Sequence, residues 1–341
     1  MEVIVDLKYK KSIAVFSIVV VSVLILSVIY SYFHSLHTIN KENSYIIIKN
    51  ESSLSEVAKQ FKSRGIIKSN NSFLVYARLL GMGGAIKESK LIIKPNISYK
   101  ELISKLQNGQ SDFAVVTIPE GFTLYQISER LQKNLSINKD DFLNITIDDL
   151  TYNDLISKRD NTHFDLEGFL YPDTYYIPVG YTEKEAANLM FNRFKTVFSD
   201  KYITRAKELG LSINQVITIA SLIEKEAAND NERSRIAGVI YNRLKKGMPL
   251  QIDAAVIYAI TKGKGTIQKV TYDDLKIQDV YNTYLYKGFP PGPIASPGKP
   301  SIEAALYPEE NDYLYYVANG KGHVFSKTYE EHVSNVKKYI K

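Results

Sequence analysis

A run of 22 residues without a charge, Ser12 to Phe33 (SIAVFSIVVVSVLILSVIYSYF), constrains this chain more than any other feature. A helix of that length covers the roughly 30 Å hydrocarbon layer of a bilayer. A cleaved secretion signal has a shorter apolar region, about 7–15 residues, and ends in small residues. Here the bulky sequence IYSYFHSLH stands where cleavage would occur. The segment therefore predicts an uncleaved, single-pass membrane anchor over 12–33. Lys8, Lys10 and Lys11 precede it and only Lys41 follows nearby. Positive charge is retained on the cytoplasmic side, so the tail over 1–11 is predicted to be cytoplasmic and residues 35–341 to lie outside. Function is to be sought in that exterior part.

Several chemistries are excluded by composition. The chain has 341 residues, enough for more than one structural unit, and 45% of them are hydrophobic, enough for a packed core. It has no cysteine, which removes disulfides and thiolate metal sites. The five histidines, His34, His37, His163, His323 and His332, show no metal-ligand spacing, and His323 reads as a structural or surface residue of a terminal hairpin. No G-x-S-x-G occurs, and TKGKGT lacks the strand a phosphate loop needs. The net charge of +6 is a mild excess with no basic block, so no nucleic-acid partner is predicted, and no metal or other cofactor. Carboxylate chemistry in a polar cleft remains.

Three segments share a strand–turn–helix pattern. The first has a strand at Tyr45–Lys49 and capping-box spacing at Ser53 and Glu56. The second has a strand at Lys90–Lys94, a box at Ser98 and Glu101, and Gly109 as a stop; the third has a strand at Phe113–Ile118 and a box at Thr123 and Gln126. None can bury its apolar face alone, so a βααβ module is predicted over 44–112, with the third unit leading onward. The opening, IIIKNESSLSEVAKQF, is similar to that of LysM-like sugar-binding modules. Beyond it, LEGFLYPDTYYIP is aromatic and turn-rich. Helices are predicted at about 183–197, 202–209, 213–228 and 232–246, then through AAVIYAI. A loop with four prolines (GFPPGPIASPG), a hairpin turning at Asn319-Gly320, and a helix boxed by Thr328 and Glu331 complete the chain. The fold class is mixed α+β, with a helix-rich domain over 113–341.

The predicted helix with IASLIEKEAAND carries two glutamates, Glu224 and Glu226, two residues apart and so on different faces. At about 100° per residue, Ile219, Leu222 and Ile223 fall within about 60° of Glu226, while Glu224 shares its side with Ile217, Ala220 and Ser221. A carboxyl beside that bulk is desolvated, which raises its pKa toward what a general acid needs. Glu226 is the candidate acid, and Glu224 is expected to hold backbone or an arginine such as Arg233 or Arg243. Asn242, Arg243, Gln251, Asp253, Asn282 and Tyr284 stand at predicted element ends and, with Glu224, are candidate substrate contacts.

ASLIEKEA, RIAGVIYNRLKKGMPLQIDAAVIYA, YNTYLYKGFPPGPIASPG and YLYYVANGKGHVFSKTYEEH, with LEGFLYPDTY, resemble the MltG/YceG family of bacterial endolytic murein transglycosylases. The similarity runs from the anchor to about residue 340. It implies cleavage of the MurNAc–GlcNAc bond in nascent peptidoglycan, termination of glycan elongation near membrane-bound synthases, and catalysis by the second glutamate of the E-K-E motif, which is Glu226. It implies that the proton donor then deprotonates the MurNAc C6 hydroxyl, which closes a 1,6-anhydro ring. One departure is visible: the family usually reads LQSDPTV where this chain reads LQIDAAV, so Ile252 and Ala254 replace a serine and a proline. Two other readings stay open. A muramidase would need a second carboxylate, for which Asp253 or Glu224 is available. An anchored wall-binding scaffold would bind peptidoglycan and cleave nothing.

Overall fold

The chain begins with helix α1 (Glu2–His34). The computed structural model describes residues 2–34, 36–82 and 86–340; the side chains of 2–14, 31, 33 and 34 lie outside the described residues. Part of the predicted anchor therefore falls there. Among the described residues, no helix is long and apolar enough to cross a membrane. Every described side chain from Val15 to Tyr30 is exposed. Beyond α1 the described residues form α+β structure with three two-stranded sheets. It divides into two compact units, Met1–Phe113 and Ala114–Lys341.

In the first unit, β1 (Ser44–Ile48), α2 (Leu54–Ser63), α3 (Asn70–Leu79) and β2 (Ser89–Ile93) follow in that order, then α4 (Tyr99–Asn108). The strands pair antiparallel, with Ile46 opposite Leu91. Alternation puts Ile46, Ile48, Leu91 and Ile93 on one face, where they bury against Val57, Phe61, Phe73, Leu102 and Leu106. The Ser53–Glu56 box forms in both directions, while Ser98 accepts from the Glu101 amide. Gly109 ends α4 in the left-handed conformation.

Strand β3 (Phe113–Thr117) starts at the boundary residue and leads into the second unit, where α5 (Leu124–Asn134) is entered through the Thr123–Gln126 box. Strand β3 does not join β1 and β2 in one sheet. It pairs with β4 (Thr174–Pro178), inside the segment that reads as turn-rich, and the Ile118 amide donates to Asp173 at 2.9 Å. Two helices separate these strands in order: α5 and the short α6 (Lys139–Leu143). Helices α7 (Glu183–Val197), α8 (Asp200–Glu208), α9 (Ile213–Glu226), α10 (Arg233–Lys245), α11 (Asp253–Thr261) and α12 (Lys299–Leu306) build the rest of the core. Helix α9 is its axis: Val216 through Ile223 are all buried. A helix apolar on every side has to be wrapped by others, and α8, α10, α11 and α12 do this. The hairpin β5 (Tyr315–Ala318) and β6 (His323–Ser326), then α13 (Tyr329–Tyr339), close the chain.

Helix α9 ends two residues before the sequence pattern indicates. Ala227 is extended, and the Ala228 amide leaves the helical ladder to donate to Glu232 Oε1 at 2.6 Å. Glu226 is thus the last helical residue, at the mouth of a cleft.

Candidate active site

Glu226 lines a cleft of about 410 Å³ together with Thr123, Gln126, Asp253, Tyr258 and Ile294. The residue as a whole is half-buried, and burial of its carboxyl pushes the pKa above the ordinary glutamate range. The Tyr316 hydroxyl donates to Oε2 at 3.0 Å and pulls the pKa back down. The neighbouring Asp253 charge adds to the rise, while His323 and the Ala254 amide oppose it. No salt bridge reaches Glu226 among the described residues. Tyr316, the partner at its Oε2, is a neutral donor.

Glu224 has a different environment on the same helical turn. Its Oε2 accepts from the Gly298 amide at 3.0 Å and faces Arg233 Nη1 at 3.4 Å. Only 8% of the Glu224 side chain and 12% of the Arg233 side chain are exposed. Desolvation therefore does not separate the two glutamates, since both are withdrawn from water. Their partners do: Glu224 has a cation and Glu226 has a phenol. Glu120 lies on the Glu224 side, with its pKa pushed up by partial burial and by the Glu224 charge.

Of the other sequence candidates, Asp253 and Tyr284 meet in the cleft region. The Tyr284 hydroxyl donates to Asp253 Oδ1 at 2.6 Å, and burial with the Asp253 charge raises the phenol pKa. Asp253 is the first residue of α11 and exposed. Arg243 and Gln251 are not among the residues that line the cleft. Arg243 is buried, donates to the carbonyls of Leu314 (2.6 Å) and Leu250 (2.7 Å), and stacks on Tyr315 at 5.1 Å. It also reaches Gln251 Oε1 at 3.3 Å, and Gln251 holds a left-handed backbone at φ 52°. Asn242 and Asn282 are not cleft residues. The Asn242 amide bonds the carbonyls of Asn311 (2.8 Å) and Tyr313 (3.0 Å). Asn282 is fully buried and bonds those of Leu275 and Ile277, both at 2.9 Å. Both amides are consumed in fixing loops.

Ile252 and Ala254 have definite places. Ile252 is buried, and its amide donates to Thr283 Oγ1 at 2.9 Å. Ala254 retains the N–H that bears on Glu226, which a proline would lack.

Sequence reasoning did not single out Tyr316, Glu232 or Glu167. Tyr316 is one tyrosine among 25, and only the alternation of its hairpin places it on a face. Glu232 accepts from the amides of Ala228 and His323 and from His323 Nδ1; burial works against its ionisation, but these bonds hold its pKa below the ordinary range. Glu167, within LEGF, is 0% exposed and accepts from the Leu124 amide at 2.9 Å and the Tyr258 hydroxyl at 3.0 Å. Burial pushes it up to about 7. A larger groove of about 560 Å³ near Lys133 and Gly180 holds one carboxylate, Glu183, which accepts from the Asn138 amide at 2.7 Å. Among the described residues, no cluster of three or more histidines and carboxylates could hold a metal ion.

Comparison with known proteins gives one consistent result. Residues 46–338 match the profile described as the YceG-like family. A Bacillus subtilis (strain 168) protein named endolytic murein transglycosylase is 35% identical over 316 residues, spanning 88% of this chain and 86% of that protein. One of the same name from Streptococcus pneumoniae (D39) is 31% identical over 315 residues, 85% of this chain but only 57% of the relative. The crystal structure of a yceG-like protein from Listeria monocytogenes superposes with a TM-score of 0.61 at 33% identity, covering 86% of this chain and 99% of that one. With the match extending through both units and including the glutamate-bearing helix, the chain belongs to the YceG-like family.

Proposed function

We propose that this protein is an endolytic murein transglycosylase that cuts the MurNAc–GlcNAc bond inside peptidoglycan glycan strands and leaves 1,6-anhydro-MurNAc ends. The observation that carries this reading is Glu226, a cleft carboxyl with no salt bridge among the described residues and a pKa raised by burial. That is the state a general acid requires near neutral pH. The name shared by the Bacillus and Streptococcus relatives supplies the substrate class.

In the first step Glu226 gives its proton to the glycosidic oxygen as the C1–O bond breaks. Positive charge develops at C1, and the Asp253 carboxylate, aligned by Tyr284, stabilises it. In the second step the MurNAc C6 hydroxyl attacks C1, its proton passes to the Glu226 carboxylate, and the anhydro ring closes. The acid is regenerated and no water is consumed, so one carboxyl serves both steps. Arg243 and Gln251 fix the loop that enters α11. Glu224 supports the α9 end from the other side.

The same proposal includes an anchor. The exposed apolar side chains from Val15 to Tyr30 are a surface that lipid would cover. The lysines before them favour a cytoplasmic N-terminus and an extracytoplasmic catalytic unit in the bacterial cell membrane. There the protein would meet nascent strands beside their synthases and terminate their growth, with the LysM-like first unit available to hold glycan.

The test is mass spectrometry of products from uncrosslinked glycan strands, with Glu226→Gln alongside. Internal fragments with anhydro ends, absent from the variant, are expected. Reducing ends would make the protein a muramidase, with Asp253 as its second carboxylate. Binding without cleavage would make it a scaffold.

A further inference from the structure

We infer that Tyr316, delivered by the terminal hairpin, is a positioning residue that lets Glu226 act first as an acid and then as a base. The inference rests on Glu226 being the proton donor proposed above.

The hairpin is built to bring this phenol to α9. Tyr316 pairs across the sheet with Phe325, and His323 lies two residues from Phe325 on the same face. The three rings pack together, with Tyr316 edge-on to His323 at 5.2 Å and tilted to Phe325 at 6.0 Å. Glu232 fastens that face to the exit of α9. One carboxylate oxygen takes the Ala228 amide (2.6 Å) and His323 Nδ1 (3.0 Å), and the other takes the His323 amide (3.0 Å). The clamp begins two residues beyond Glu226. With the hairpin held there, the Tyr316 hydroxyl meets Glu226 Oε2 at 3.0 Å.

A phenol is suited to this place. Burial pushes the Tyr316 hydroxyl well above its ordinary pKa, so it stays protonated and remains a donor. A donor to a carboxyl favours the ionised form. When Glu226 loses its proton to the glycosidic oxygen, the hydrogen bond from Tyr316 strengthens on the new carboxylate. A lysine or arginine there would hold Glu226 ionised and remove the acid. A hydrophobe would leave only His323 and the Ala254 amide to oppose burial and Asp253, and make the proton slower to leave. The other charged or titratable groups facing Glu226 are Asp253 and Tyr284 on the α11 side, His323 on the hairpin, and Lys225 on its own helix. Arg243 faces Tyr316 from behind.

The experiment is the pH dependence of kcat and kcat/KM on uncrosslinked glycan strands, using the full chain in detergent as wild type, Tyr316→Phe, Phe325→Leu and Glu226→Gln. Tyr316→Phe keeps the ring and removes only the hydroxyl. It is expected to lower kcat by about 10–100-fold at the wild-type optimum with KM within about twofold. Because the lost bond favoured the carboxylate, the alkaline limb of kcat/KM should move to higher pH. Phe325→Leu loosens the same hairpin face without touching the hydroxyl and should leave that limb in place. A Tyr316→Phe profile lowered uniformly with an unmoved limb, or a limb moved equally by Phe325→Leu, would reduce Tyr316 to packing and overturn the inference. Full activity in Glu226→Gln would instead remove the reading beneath it.

Discussion

Replacing Glu224 should cost stability, whereas replacing Glu226 should cost chemistry. Glu224 and Arg233 are 3.4 Å apart and almost wholly withdrawn from water. At an effective dielectric of 20 their attraction is about 5 kcal/mol, and truncating one member of such a pair typically costs about 3–5 kcal/mol. Two features move the expectation within that range. Arg233 keeps Asp230 at 2.9 Å and Ser301 Oγ at 2.5 Å, so it is not stranded, which lowers the cost. The Gly298 amide loses its acceptor, which adds about 1–3 kcal/mol. Glu224→Ala should therefore destabilise the 114–341 unit by about 3 kcal/mol. Glu224→Gln, which still offers an oxygen to Gly298, should cost about 1–2 kcal/mol. The assay is urea unfolding followed by far-UV circular dichroism, with activity measured per folded molecule. Glu224→Gln should keep activity within about tenfold of wild type, since its loss is not in the transition state. A Glu224→Ala protein within about 0.5 kcal/mol of wild type would refute the support role. So would a fully stable Glu224→Gln protein as inactive as Glu226→Gln, which would give Glu224 chemistry.

Other perturbations test the surroundings. Glu167 sits near 7 in the fold against 4.5 free, so its contribution to stability is fully present below about 4.5 and lost as pH rises through about 7. That rise corresponds to about 3 kcal/mol. The wild-type urea midpoint should fall from pH 5 to pH 8 and that of Glu167→Gln should stay flatter; equal slopes would count against the assignment. Gly168→Ala would place a Cβ 2.4 Å from Pro293 Cβ at φ +85°, against a ring that cannot yield. It should cost about 2–4 kcal/mol in thermal unfolding, whereas Gly180→Ala, at φ +91° with open space around it, should cost only the backbone strain of about 1 kcal/mol. Ala254→Pro falls in the first turn of α11, where proline is tolerated. It removes an amide that favours the Glu226 carboxylate, so the protein should fold normally while the alkaline limb of kcat/KM rises slightly.

Local signals were legible in the sequence where they are settled by neighbours in the chain. The boxes at Ser53, Thr123 and Thr328 form as their spacing implies, because an N-cap side chain satisfies amides only three residues away. The terminal hairpin follows from its alternation and its Asn-Gly turn. Strand β4 was not legible: TYYIP lies between proline-bearing turns, and its partner β3 is more than fifty residues earlier, as the Thr117–Thr174 hydroxyl contact shows. The helical-face argument distinguished the two glutamates, but on a property they share. Burial reaches both, and the partners that differ, Arg233, Gly298 and Tyr316, arrive from three other elements. Asn242 and Asn282 illustrate the same limit: an amide at an element end looks the same in sequence whether it faces substrate or a loop carbonyl.

Helix α9 supports two carboxylates in its last turn, where the helix dipole presents negative potential and disfavours both. The chain answers this cost in two ways. On one side the compensation is charge: Arg233 at the start of α10 and the Gly298 amide at the N-cap of α12. Through these contacts Glu224 ties three helices together. On the other side the compensation is a neutral hydroxyl from a hairpin, which favours the carboxylate without enforcing it. On the mechanism proposed above, that side carries the group that donates and recovers a proton. Two residues of separation are what this division needs. At about 200° around the helix, the cation that stabilises one glutamate stands behind the backbone from the other. A spacing of three or four would put both carboxylates on one face, sharing Arg233, and would replace the proposed proton donor with a second salt bridge.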